Sequence, residues 1–179
     1  MSPRRPPEAI AFEREFPGAR WLCARCAREL EVVGGLIEAA IAGVARRYGL
    51  SHAALNALAV IEGEGQPMLI GEVASRMHIT SGTITSLIDN LERKGYVLRS
   101  SDADDRRRVL VDITPAAQSV LDDLLPEVQQ LTVALIDHIG QKRQEALLDI
   151  LAEIRQAIND LPHEMPAPPP RRRPDRLTR

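Results

Sequence analysis

The sequence predicts a mainly α protein: a winged helix-turn-helix with a small β-hairpin wing, flanked by long N- and C-terminal dimerisation helices. Three observations predict it. Positions 84, 87, 88 and 91 are apolar and share one face of a helix, while Thr83, Thr85, Ser86, Asp89, Asn90 and Arg93 occupy the other. Two alternating segments follow, Tyr96-Val97-Leu98 and residues 109–113, and enclose an Asp-rich turn ending in Arg106, Arg107 and Arg108. Aliphatic stripes at three-or-four spacing then lie on both sides of this block.

Composition narrows the class. A chain of 179 residues suits one domain with a substantial oligomerisation part. Hydrophobic residues make up 44% but aromatics only 3%, so the core must be Leu, Ile, Val and Ala, which favours helix packed on helix. Apolar runs are broken by charge well before the roughly 18–20 residues of a membrane span, and the first twenty residues are rich in Pro, Arg and Glu. A cytoplasmic protein without a membrane partner is expected. Two cysteines do not make a disulfide framework. There is no Gly-rich phosphate loop, nucleophile elbow or His-Glu metal motif, and His52, His78, His138 and His163 lack ligand spacing, so neither an enzyme, a cofactor nor a metal is expected.

Net charge is −2, so binding to nucleic acid must depend on where charge is placed. From Pro162 onward five arginines face two carboxylates, whereas residues 80–114 balance six basic against six acidic side chains.

In chain order, residues 1–18 hold four prolines and read as an irregular arm with one helical turn near Ala9–Phe12. A long helix is expected over about 20–48, with Gly34-Gly35 marking a bend or a close helix contact. The winged-helix lobe spans about 51–114. Ser51 caps a helix over about 52–62, a loop with Gly63, Gly65 and Pro67 follows, and residues 68–77 read as a short helix. Ser81 is placed to cap the next helix and Gly95 to stop it in a left-handed conformation. Thr114-Pro115 starts the next helix, in which Pro126 is expected to cause a kink or break, and Gly140 ends it. A last helix runs from about 141 to 161, and residues 162–179 read as a disordered Pro/Arg-rich tail.

Residues 19–161 thus form a single domain, with dimerisation helices over about 20–48 and 115–161. A small reading head cannot bury three long apolar helices, so a homodimer is expected. A twofold dimer would set two heads roughly 34–36 Å apart, one turn of double-stranded DNA.

The short side chains Ser81, Thr83, Thr85 and Ser86 let a helix sit deep in the major groove, where hydroxyls meet phosphates or base edges. Asn90 is placed to reach an adenine or a phosphate. Arg107 is the expected wing-tip residue in the minor groove. Arg106 is assigned to backbone phosphate or to a contact back on the domain, and Asp105 to supporting the wing by holding Arg107 or capping the turn. Taken alone, a run such as DDRRR is a solvated hairpin; its position after such a helix is what points to DNA.

The stretch SGTITSLIDNLERKGYVLRSSDADDRRRVLVDITPAAQSVL resembles the signature of the MarR family of bacterial transcriptional regulators. The matching residues are Thr83, Thr85, Ile88-Asp89, Leu91-Glu92, Gly95, Asp105-Arg106-Arg107 and Ile113-Thr114, with Ile113 in place of the usual Leu. The resemblance implies a homodimeric winged-helix regulator, usually a repressor, whose grip on a pseudo-palindromic operator changes with a small-molecule effector or oxidation. Relatives commonly carry a basic residue where this chain has Ser86. The family's effector cleft, between dimer helices and reading head, implies Trp21, Arg25, Tyr48 and His52 as lining residues. Some relatives sense oxidants through a cysteine near the start of the first long helix, which makes Cys23 and Cys26, one helical turn apart, the candidate redox pair. Small core packing is the plainer reading of Cys26. The alternative function for the whole is a winged helix used as a protein–protein interaction module, its wing arginines gripping an acidic partner.

Overall fold

The computed structural model describes residues 6–101, 105 and 108–162. Arg106 and Arg107 lie outside the described residues, as do residues 1–5 and the tail from 163. The chain divides into two compact units, one from Met1–Leu36 with Ile139–Arg179, the other Ile37–His138.

The first unit contains α1 (Pro7–Glu15), the first half of α2 (Trp21–Arg47) and α7 (Gln141–Asn159). The helix α1 is longer than the single turn expected. Pro7 opens it, the first helical position being one that needs no amide, and Phe12 and Phe16 stack with centroids 5.0 Å apart. Through Gly34-Gly35 α2 continues as one helix. No residue of α7 is buried, and Leu148, Ile150 and Ile158 stand exposed.

The second unit holds the packed core. The end of α2 leads through Gly49, at φ +70°, to Ser51, whose Oγ accepts from Ala54 N at 3.1 Å and starts α3 (His52–Glu64). Residues 68–77 are not one helix as expected. Met68–Leu69 is a strand, β1, and α4 (Ile70–Arg76) begins only after it. Met68 pairs with Val111, so the wing's apolar edge recruits a third strand that a two-residue segment cannot announce by periodicity. The sheet order is β1–β3–β2, all antiparallel, with β2 Val97–Ser101 and β3 Val109–Ile113 in the register Val97–Ile113 to Ser101–Val109. Between α4 and α5 (Ser81–Arg93), His78 takes the left-handed conformation at φ +54°. This makes the turn tight enough for Ile79 N to bond Ala74 O at 3.1 Å.

Thr114 closes the lobe. Its Oγ1 donates to Gly95 O at 2.7 Å and accepts from Ala117 N at 3.2 Å, which joins the end of the α5 region to the start of α6 (Pro115–Ile136). Proline at position 126 does not break α6. Loss of one helical hydrogen bond is outweighed because Leu121 and Leu124 are fully buried and Leu125 and Val128 pack on the same core. That core includes Val44, Leu50, Leu55, Leu58, Ile61, Met68, Val73, Ile84, Ile88, Leu91, Val97, Val111, Leu121 and Leu124, drawn from every helix and strand of the lobe.

One surface pair in this unit has a measurable signature. Arg76 hydrogen-bonds Glu64, and Gln66 adds a second donor at 3.4 Å. The side-chain hydrogen bond from Arg76, then that from Gln66, then the Arg76 charge hold the Glu64 carboxyl below its ordinary value. A depressed carboxylate pKa stabilises the fold above the ordinary range and loses that contribution as pH falls through the lowered value. In Arg76→Met the Glu64 pKa, followed by NMR titration, is expected to rise toward the ordinary carboxylate value. An unshifted titration would mean that Arg76 is not the cause.

Candidate nucleic-acid interface

Helix α5 is fixed by its apolar side. Ile84, Ile88 and Leu91 are buried, while Ser81, Gly82, Thr83, Thr85, Ser86, Asp89 and Asn90 are exposed. The cap is Thr80, one residue before the Ser81 that was expected: Thr80 Oγ1 accepts from Thr83 N at 3.3 Å and lies 2.9 Å from Thr83 Oγ1. The extended backbone of Thr80, at ψ 156°, turns its hydroxyl back over the first turn, whereas Ser81 is already helical. Thr85 Oγ1 donates to Ser81 O at 2.8 Å, and Ser86 Oγ donates to Gly82 O at 3.2 Å. The outer face is therefore shallow, polar and free of long side chains over its first two turns.

Asp89 is not an isolated carboxylate on this face. Arg99 of β2 reaches back, with Nη2 2.5 Å from Asp89 Oδ1 and Nη1 3.1 Å from Glu92 Oε2. One guanidinium thus masks two negative charges that would otherwise repel a polyanion. Arg99 Nε is buried without a hydrogen-bond partner among the described residues. Sequence reasoning missed this residue. Its available signal was an arginine in the strand that follows a helix with acidic residues one turn apart. On the other side, Lys94 Nζ donates to Gly49 O at 2.9 Å, which ties the end of α5 to the loop after α2. Arg93 is exposed.

The wing strands lie next to this helix in the sheet. At the base of its tip Arg108 N donates to Asp105 O at 2.8 Å, so the main chain of Asp105 helps to close the turn. Arg106 and Arg107, the expected phosphate and minor-groove contacts, fall outside the described residues.

The other candidate residues belong to two units. In the first, Cys23 and Cys26 are exposed free thiols, and the Arg25 guanidinium lies 5.4 Å from the Trp21 ring centroid, a cation–π contact. In the second, the Tyr48 hydroxyl donates to Glu127 Oε1 at 2.5 Å, and Glu127 also pairs with Arg47. His52 has Nδ1 3.4 Å from Glu38 Oε1 and Nε2 3.3 Å from Asn56 Nδ2. Tyr48 is therefore engaged in holding α2 to α6. Among the described residues, no group of three or more His, Cys, Asp or Glu is placed to hold a metal ion, and no helix is long and apolar enough to cross a membrane.

Residues 48–108, from just after α2 to the residue before β3, match the sequence model of the MarR family. Over this stretch the chain carries the MarR-family sequence pattern. An uncharacterized HTH-type transcriptional regulator of Bacillus subtilis, YcgE, is 28% identical over 97 residues, which cover 54% of this chain and 63% of that one. The crystal structure of a MarR-family transcriptional regulator from Silicibacter pomeroyi superposes with a TM-score of 0.64 at 25% identity, covering 78% of this chain and 92% of that chain. The MepR–DNA complex of Staphylococcus aureus shares the fold, with a TM-score of 0.68 at 16% identity over 74% of this chain and 96% of that chain. The chain spans 53–63% of the length of three curated relatives it matches. In the winged-helix fold that these structures share, α5 is the second helix of the helix-turn-helix and β2–β3 form the wing.

Proposed function

We propose that this protein is a sequence-specific transcriptional regulator of the MarR family, a repressor, that binds a pseudo-palindromic operator in double-stranded DNA as a homodimer in the cytoplasm. The observation that carries the reading is the outer face of α5. It is a row of small hydroxyl side chains on a helix locked to its core, with its nearest carboxylates, Asp89 and Glu92, both paired with Arg99. Such a face fits the major groove, where a bulkier or unmasked acidic face would be excluded by sterics or by phosphate repulsion. The similar fold of MepR in a complex with DNA supports the same reading.

The homodimer is supported by the apolar side chains that α2 and α7 leave uncovered in the single chain, among them Leu22, Leu36, Leu148 and Ile158. A small-molecule effector or an oxidant tunes the grip by favouring one conformation over another. Trp21, Arg25, Tyr48 and His52 are assigned to the effector cleft, and Cys23 with Cys26 to oxidation. Hydrogen peroxide would take two electrons and two protons from the two thiols, giving a disulfide and two waters. Peroxide is expected to change the operator affinity of the protein, and not that of Cys23→Ser/Cys26→Ser. Unchanged affinity and unchanged dimer mass after treatment would remove the oxidative branch.

Selection from a pool of random duplexes tests the function. The purified protein is sedimented with the pool under reductant, and the retained DNA is sequenced. Enrichment of a pseudo-palindrome with half-sites about one helical turn apart is the expected result. Absence of any enriched sequence would overturn it and favour the protein-binding winged helix.

A further inference from the structure

Two hydroxyls of α5 have already used their only hydrogen. A hydroxyl carries one proton and two lone pairs. A main-chain carbonyl only accepts, so the 2.8 Å contact of Thr85 Oγ1 with Ser81 O and the 3.2 Å contact of Ser86 Oγ with Gly82 O assign both protons inward, along the helix. What Thr85 and Ser86 turn outward is lone pairs. Both side chains are exposed, and no Lys or Arg occurs between Ser81 and Glu92. The first two turns of the helix thus lack the cationic donors that pair with the O6 and N7 acceptors of guanine.

We infer that Thr85 and Ser86 read DNA as hydrogen-bond acceptors, so that the operator presents exocyclic amino groups, adenine N6 or cytosine N4, to this turn of the helix. This rests on the DNA-binding reading above. The major-groove code gives the inference its content. Adenine and cytosine display an amino donor there, whereas guanine and thymine display only acceptors and, for thymine, a methyl group. To serve guanine, either hydroxyl would have to turn its proton away from the helix and give up its intrahelical bond. An amino group costs no such rearrangement.

The test uses the full-length protein and the duplex enriched by selection. Each adenine of a half-site is replaced in turn by unsubstituted purine, which lacks the 6-amino group, and each cytosine by 2-pyrimidinone, which lacks the 4-amino group. Affinity is measured for the unaltered protein, for Thr85→Val, which keeps the methyl group and shape, and for Ser86→Ala. At one or two positions, deletion of the amino group is expected to weaken the unaltered protein about fivefold to tenfold. At those positions Thr85→Val or Ser86→Ala should bind the altered and unaltered duplexes equally, and Thr85→Ser should regain the discrimination. Circular dichroism melting confirms that each variant is folded. Tight, sequence-selective binding that ignores every amino deletion overturns the acceptor assignment while leaving the regulator reading standing. Failure to enrich any duplex overturns both.

Discussion

Ile88→Ala is expected to destabilise the lobe by about 2–5 kcal/mol, the range for removing a large aliphatic side chain from a packed core. Ile88 is 0% exposed and lies on the buried stripe of α5 between Ile84 and Leu91. Its loss opens a cavity directly beneath the face proposed to meet DNA, and the surrounding side chains can collapse into it only partly. The matched control is Leu98→Ala on β2, where the side chain is 62% exposed and the change should stay within about 0.5 kcal/mol. Denaturant unfolding of both variants at equal protein concentration checks the contrast. Equal stability of the two variants would mean that α5 is not seated by this stripe.

Arg107→Ala is expected to cost about 1–3 kcal/mol of specific binding, with little change in folding stability. The argument is positional. Strands β2 and β3 carry the turn that contains residue 107, and the MarR-family wing is expected to enter the minor groove, where narrow A·T-rich DNA concentrates negative potential. A gel-shift titration of folded Arg107→Ala against the enriched duplex measures the loss. Unchanged affinity would take Arg107 off the list of contacts and leave specificity to α5 alone.

Much of the architecture was legible because it rests on local chemistry. Ser51, Thr114 and the left-handed Gly95 mark element boundaries with the atoms that make the hydrogen bonds or the φ angle possible. The 84, 88, 91 stripe fixes the buried face of α5 in the same way. Features that depend on distant parts of the chain were not legible. Strand β1 exists because Met68 and Leu69 find Val111 and Leu110 about forty residues away, and two residues carry no period of their own. Arg99 reads as one more charge in a strand until the register sets it against Asp89 and Glu92. Pro126 does not break α6, since a helix whose buried stripe continues past a proline retains enough packing to stay whole. The cap fell on Thr80 and not Ser81 because adjacent hydroxyl residues look alike in sequence, and only backbone direction decides which one turns over the helix start.

The most direct test of the central claim is a pair of anisotropy titrations at one fixed, near-physiological salt concentration. One uses the enriched pseudo-palindromic duplex, the other a scrambled duplex of identical length and base composition. Because phosphate contacts contribute equally to both, the ratio isolates sequence reading from general attraction. The expected result is binding to the palindrome on the order of a thousandfold tighter, with two protein chains per duplex at saturation. Equal affinities for the two duplexes would contradict the claim that α5 and its wing read a DNA sequence.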